Sequence, residues 1–172
     1  GLARSVNAVL DAPRLVPGRL GVISHSGSLI GALLSRGQAR GLAFSKLVSV
    51  GNEADLTLGE VGELLVDDPE TDAILLFLET ISAADRVRAM ARRAHRAGKP
   101  VIAYKLGRSE VGRVLAKSHT GALAGVDEAM DAFLHANGIA RVGLFDSLIE
   151  TPPMMIGRKP PRSGGPSGGK VA

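Results

Sequence analysis

One histidine stands among small, flexible and hydroxyl-bearing residues, in Ala116-Lys117-Ser118-His119-Thr120-Gly121-Ala122-Leu123-Ala124-Gly125. There is little bulk here to bury an imidazole in a core, and Gly121 and Gly125 let the backbone turn and approach a ligand closely. His119 is therefore read as a loop residue facing a site. An unprotonated ring nitrogen can take a phosphoryl group, and the resulting phosphoramidate is labile enough to pass it on. That chemistry needs the ring aimed by a carboxylate on its other nitrogen. Glu79, at the end of the most apolar run in the chain, is the candidate orienter. The phosphoryl oxygens then need donors, and Ser26-Gly27-Ser28 opens a helix whose first N–H groups and dipole favour an anion.

Each of these residues also has a plainer role open to it. A lone loop histidine is commonly a surface or structural residue, Glu79 could cap a neighbouring helix, and Ser26 could be an N-cap and nothing more. Other chemistries have less support. There is no Gly-x-Ser-x-Gly elbow, no P-loop and no Gly-x-Gly-x-x-Gly fingerprint. The chain has no cysteine, hence no disulfide or thiolate chemistry. His25, His95, His119 and His135 show no metal-ligand spacing, so no metal site is expected. His95 and His135 fall late in helices, where imidazole suits the dipole. His25 lies in the candidate phosphate turn itself.

The elements that must position these groups can be read from apolar periodicity. Residues 1–18 hold Pro13, Pro17 and Gly18 and read as a lead-in. Leu20–Ile23 is a buried strand, followed by a helix with Leu29, Ile30, Leu33 and Leu34 inward and ended by Gly37 and Gly41. Lys46–Val50 is a second strand, stopping at the polar loop Gly51-Asn52-Glu53-Ala54-Asp55. Thr57 and Glu60 have capping-box spacing ahead of a helix with Leu58, Val61, Leu64 and Leu65 on one face. Ala73–Leu78 shows no alternation, as expected of a parallel strand covered on both faces. A helix from about 83 to 97 turns Val87, Met90, Ala91 and Ala94 inward and five arginines (Arg86, Arg88, Arg92, Arg93 and Arg96) toward solvent. Val101–Tyr104 is a fourth strand. A short helix near 110–116 precedes the histidine loop. A helix over 127–136 is expected to bury Ala129, Ala132, Phe133 and Ala136, and a fifth strand covers 138–142. Strands alternating with helices predict an α/β fold: a doubly wound, mostly parallel five-stranded sheet, flavodoxin-like, with the three candidate features at the carboxyl ends of its strands.

Charge and composition narrow the function further. Of the 21 basic residues, Arg158, Lys159, Arg162 and Lys170 lie in 151–172, which has no acid; the remaining 17 balance 17 acidic residues, so the net +4 belongs to the tail. No nucleic-acid partner is expected of the folded part. No apolar run approaches the ~20 residues of a membrane span, and no signal peptide opens the chain, so a cytoplasmic location is expected. Five prolines and five glycines in 151–172 read as a flexible linker. The expected division is a lead-in at 1–18, a folded domain at 19–150 and a linker at 151–172.

Taken together, Ile23-Ser24-His25-Ser26-Gly27-Ser28-Leu29, Ser49-Val50-Gly51-Asn52-Glu53-Ala54-Asp55, Asp68-Pro69-Glu70-Thr71, Gly107-Arg108-Ser109 and Ser118-His119-Thr120-Gly121-Ala122-Leu123-Ala124-Gly125 resemble the phosphohistidine domain of nucleoside-diphosphate-forming acyl-CoA synthetases. That group includes ADP-forming acetate–CoA ligases and the succinyl-CoA synthetase alpha subunit, and the similarity runs from about 18 to 150. The resemblance implies a succinyl-CoA synthetase-like flavodoxin fold. It implies phosphorylation of His119, a ring held by Glu79, and a phosphate at the helix start of Ser26, Gly27 and Ser28. It further implies a ligase using CoA and ATP with Mg²⁺ as substrates of the full enzyme, none of them held by this domain alone. The expected partners are a CoA-binding domain, an ATP-grasp domain or subunit, a small carboxylic acid, and a second copy in a homo-oligomer. The CoA-binding and ATP-grasp parts are not among these 172 residues, so the chain reads as a fragment of a longer enzyme.

One departure stands out: His25 occupies a position that is usually glutamine in ADP-forming members, which makes it a rival phosphoryl acceptor. The alternative function, from another class, is a non-catalytic CoA-metabolite-sensing or scaffold domain of a regulator such as a protein acetyltransferase. Degenerate relatives of that kind lack the histidine that His119 supplies. An unrelated flavodoxin-like receiver or flavin-binding domain is a third reading, and the 3% aromatic content disfavours the flavin.

Overall fold

The computed structural model describes residues 16–105 and 126–157. His119, the turn at Gly107-Arg108-Ser109 and the helix expected near 110–116 lie outside the described residues. Five parallel strands, β1 (Pro17–Ser24), β2 (Phe44–Ser49), β3 (Ala73–Leu78), β4 (Val101–Lys105) and β5 (Ala140–Val142), form one sheet in the order β2-β1-β3-β4-β5. This is the flavodoxin-like order, and it puts the topological switch between β1 and β3.

Helices cover both faces, which is why the central strands are apolar without alternation. All six side chains of β3 are buried. Ile74, Leu76 and Leu78 face one layer, made by α2 (Leu58–Asp67), α3 (Ala84–Arg96) and α4 (Val126–Ala136). Ala73 and Leu75 face the other, made by α1 (Gly27–Ala39) and α5 (Phe145–Glu150).

The local rules hold where they are local. Thr57 and Glu60 form the reciprocal capping box: the Thr57 hydroxyl accepts from the Glu60 N–H at 3.3 Å and the Glu60 carboxylate accepts from the Thr57 N–H at 3.0 Å. At the other end of α2, the Lys99 ammonium donates to the Val66 and Asp68 carbonyls at 2.7 Å, satisfying acceptors the helix leaves open. The inward face of α3 is Val87, Met90, Ala91 and Ala94, as expected, and its arginines lie outside, with Arg93 on Asp67 and Glu63.

Three helix readings are corrected. In α2, Leu64 is 65% exposed, and the buried stripe is Leu58, Val61, Leu65 and Val66 with Gly59 and Gly62. In α4, Met130 and Leu134 are the buried residues and Phe133 packs half-buried against the core as expected, but Ala129, Ala132 and Ala136 are exposed. Two overlapping stripes competed there, and the one with larger side chains removes more apolar area from water. Gly37 does not end α1. It is buried inside the helix, where a Cβ would come within 2.8 Å of the Phe44 ring; Gly41, at φ +78°, is the terminator. The linker expected from 151 also begins later, because Pro152–Met155 makes a short helix, α6, with Pro152 buried at its first turn. Among the described residues no helix is long and apolar enough to cross a membrane.

Candidate functional site

The carboxyl ends of β1, β2, β3 and β4 meet along one edge. The pairing of Ser24 with Phe77 sets His25 beside Glu79, and the pairing of Leu78 with Lys105 sets the end of β4 on the other side of Glu79. The His25 N–H donates to the Phe77 carbonyl at 3.2 Å, and the Val50 N–H to the Ser24 carbonyl at 2.9 Å, so the ladder runs one step beyond the strands on both sides of β1.

Ser24 makes the turn into α1. Its hydroxyl accepts from the Ser26 N–H at 3.0 Å and donates to the Ser26 carbonyl at 2.7 Å. Ser26 sits at the N-cap with extended backbone but makes no side-chain cap; its hydroxyl pairs instead with that of Ser28 at 3.0 Å. Gly27 and Ser28 are exposed, and the first turn carries no acidic residue. The leading N–H groups of α1 are thus left for whatever lies in front of the helix.

Glu79 is half-buried, and its backbone N–H donates to Nδ1 of His25 at 3.0 Å. On the other side of the ring, Nε2 of His25 is 2.6 Å from Glu53 Oε1, with the two side chains only 3% and 5% exposed. The Ser82 hydroxyl donates to the second oxygen of Glu53. Glu53 itself has φ +55°, the left-handed region, at the close of a turn in which its N–H donates to the Val50 carbonyl at 3.0 Å. A non-glycine residue there costs ~1–2 kcal/mol, and the two bonds to its carboxylate offset that strain.

A backbone N–H can only donate, so Nδ1 must present its lone pair to Glu79. The proton of the ring therefore sits on Nε2 and is donated to Glu53. Both nitrogens of His25 are occupied. Sequence reasoning singled out His25 but found neither partner. Nothing in one dimension joins residue 25 to 53 and 79; only the strand order does.

A second group lies at the end of β4. The Lys105 side chain is 5% exposed, with its ammonium 3.7 Å from Asp127, which also accepts from Arg141 at 2.6 Å. Lys105 ends β4 next to the end of β3, and Asp127, near the start of α4, pairs with Arg141 of β5. Arg141 and Lys105 were not singled out in the sequence, because a lysine ending a strand and an arginine in a three-residue strand give no pattern.

Comparison with known proteins identifies the domain. The family model for the succinyl-CoA ligase-like flavodoxin domain matches residues 17–155. The chain belongs to this family. Among curated relatives, the ADP-forming acetate–CoA ligase of Methanocaldococcus jannaschii is 38% identical over 133 residues, covering 77% of this chain and 19% of that protein. The ADP-forming 4-hydroxybutyrate–CoA ligase of Nitrosopumilus maritimus is 34% identical over 134 residues, again 77% of this chain and 19% of that protein. Among solved structures, the dinucleotide-forming acetyl-coenzyme A synthetase 1 of Ca. Korarchaeum cryptofilum, in complex with phosphate and ADP, superposes with a TM-score of 0.70 at 31% identity, over 81% of this chain and 30% of that one. The chain thus spans about a fifth of the length of these two curated relatives. The flavodoxin-like reading and the recognised family both stand.

Proposed function

We propose that this chain is the phosphoryl-relay domain of an NDP-forming acyl-CoA synthetase, acting with a CoA-binding domain and an ATP-grasp domain or subunit. The described elements of this domain run from β1, starting at Pro17, to α6, ending at Met155. In this reading the γ-phosphoryl of ATP passes to a ring nitrogen of His119 and ADP leaves. The phosphohistidine then gives the group to a carboxylate oxygen of the acid, making an acyl phosphate. The CoA thiolate attacks its carbonyl carbon and expels phosphate. Mg²⁺ travels with the nucleotide outside this chain.

The observation that carries the reading is the arrangement at the switch point. The open start of α1 at Ser26, Gly27 and Ser28, the half-buried Glu79 and the departure of the His119 segment after Lys105 fall on adjacent strands β1, β3 and β4. That is where a doubly wound sheet takes its ligand. The donors of α1 stabilise phosphoryl oxygens, and the Glu79 carboxylate holds the imidazole so that the attacking nitrogen keeps its lone pair.

The test is intact mass of the full-length enzyme after incubation with Mg-ATP. The expected result is one phosphate, lost in acid, kept in base and absent from His119→Asn. A folded, nucleotide-binding enzyme that takes no phosphate would overturn the relay.

A further inference from the structure

We infer that His25 is a positioning residue rather than a phosphoryl acceptor: a neutral clasp that fixes the backbone of Glu79 through Nδ1 and the Glu53 turn through Nε2. The inference rests on the proposed role of Glu79, and its geometric part stands independently of that role.

A phosphoryl acceptor needs one ring nitrogen with a free lone pair open to solvent or substrate. The only nitrogen of His25 with a lone pair is Nδ1, and that lone pair receives the Glu79 N–H at 3.0 Å. Nε2 carries the proton and is directed to Glu53 at 2.6 Å. The side chain is 3% exposed. Attack by either nitrogen would strip a buried partner of its bond.

Position gives the ring its use. β1 lies between β2 and β3, and the β1/β3 step is the crevice where the strand order reverses. A sheet splays beyond its last ladder bond, and loops leaving it are otherwise tethered only by their own backbone. Here one imidazole ties the first residue after β3 to the turn after β2, with the α1 start following directly in sequence. The Ser82 hydroxyl extends the chain of bonds into the segment before α3. Glu79 therefore does not depend on its own loop for placement. A displacement of ~1 Å in a group that orients a nucleophile can cost ~10²-fold in rate, and the clasp suppresses that displacement.

Two substitutions separate the contacts. Asparagine puts Oδ1 near the place of Nδ1 and keeps an acceptor for the Glu79 N–H; leucine fills similar space with none. In the full-length enzyme, amide hydrogen exchange at Glu79 is expected to speed up roughly tenfold in His25→Leu and to return toward the native rate in His25→Asn. The rate of phosphate uptake from Mg-ATP is expected to fall by roughly the same factor in His25→Leu and to recover in His25→Asn, with the phosphate mapping to the His119 peptide in every case. Unchanged exchange at Glu79 in His25→Leu would overturn the clasp. So would phosphate mapping to the peptide around residue 25. Should the native enzyme take no phosphate, the relay fails while the exchange result still decides the clasp. A measurement on unaltered protein covers the case in which His25→Leu does not fold. Diethylpyrocarbonate should modify the exposed His95 and His135 well before His25, and equal labelling of His25 would sink the proposal.

Discussion

At the scale of single residues, the site divides into groups that are held and groups that are left open. His25 and Glu53 are held; the start of α1 is open, and Glu79 is fixed by its backbone while its carboxylate has no hydrogen-bond partner among the described residues. An unengaged carboxylate at the switch point suits a role toward something outside the described residues. Glu79→Gln should leave the unfolding temperature nearly unchanged and lower phosphate uptake by roughly a hundredfold or more, because a neutral amide lacks the charge that holds the ring N–H and can turn its own NH2 to the ring, favouring the wrong tautomer. Rapid-quench labelling beside a melting curve would check this, and equal uptake would remove Glu79 from the mechanism. The three features proposed for the relay could be picked out as candidates because each is unusual for its surroundings: a histidine among glycines, a carboxylate ending an apolar strand, a small-residue turn before a helix. The clasp was not legible, since it joins residues 25, 53, 79 and 82 across three strands and no local pattern encodes that meeting.

At the scale of elements, α2 and α3 show how closely the layer on one sheet face is fitted. A Cβ on Gly59 would lie 2.6 Å from the Arg86 Cβ and 2.7 Å from the Arg86 backbone carbon, and one on Gly62 would lie 2.6 Å from the Met90 Cγ. Alanine in a helix is favoured over glycine by ~1 kcal/mol. Forcing two backbones apart costs ~1–3 kcal/mol. Gly59→Ala is therefore expected to destabilise despite its better propensity, since backbone cannot swing aside. Gly62→Ala should be milder, because the Met90 side chain has rotamers to spare. Chemical denaturation midpoints would rank the two, and a reversed order would mean α2 shifts as a body. The α2 cap and the inward face of α3 were legible because a capping box and an apolar stripe opposite a run of arginines are local patterns. Leu64 and the alanine face of α4 misled because spacing alone does not choose between overlapping stripes.

At the scale of the whole molecule, one cluster of ion pairs lies at the end of the sheet opposite the site. Near the amino ends of the strands, Arg19 donates to Asp72 at 2.7 Å and to the Pro69 carbonyl at 2.8 Å, while Lys46 pairs with Asp68 at 3.2 Å and Glu70 at 2.9 Å. The hydrogen bond from Arg19 holds the Asp72 carboxyl below the usual carboxylate range. For Asp68, burial pushes upward, and hydrogen bonds from Thr71, the Glu70 N–H and Lys46 outweigh it and bring it down. A carboxyl lowered on folding binds fewer protons folded than unfolded. Its contribution is present above the ~3.9 of a free aspartate and is lost as pH falls through the lower folded value. Melting temperature should thus fall as pH drops from about 5 to 3, and Asp72→Asn should flatten part of that slope; an unchanged slope would exclude the Arg19 pair as a cause.

The central place of β1 has one more consequence, which concerns time rather than geometry. Within this domain β1 is made before its two neighbours; β2 follows soon after, but the strand that closes its other side, β3, begins only at Ala73. Until then the nascent chain carries a strand with apolar residues on both faces from Leu20 to Ile23 and one row of backbone donors and acceptors unpaired. Such an edge is a template for a second chain. A fragment ending before Ala73 should pellet on release from the ribosome, while one extended through β4 should stay in the supernatant. If both stayed in solution, the half-made sheet would have to shield that edge by itself. The same strand that later anchors the switch point is thus, while this domain is being made, an edge open to mispairing.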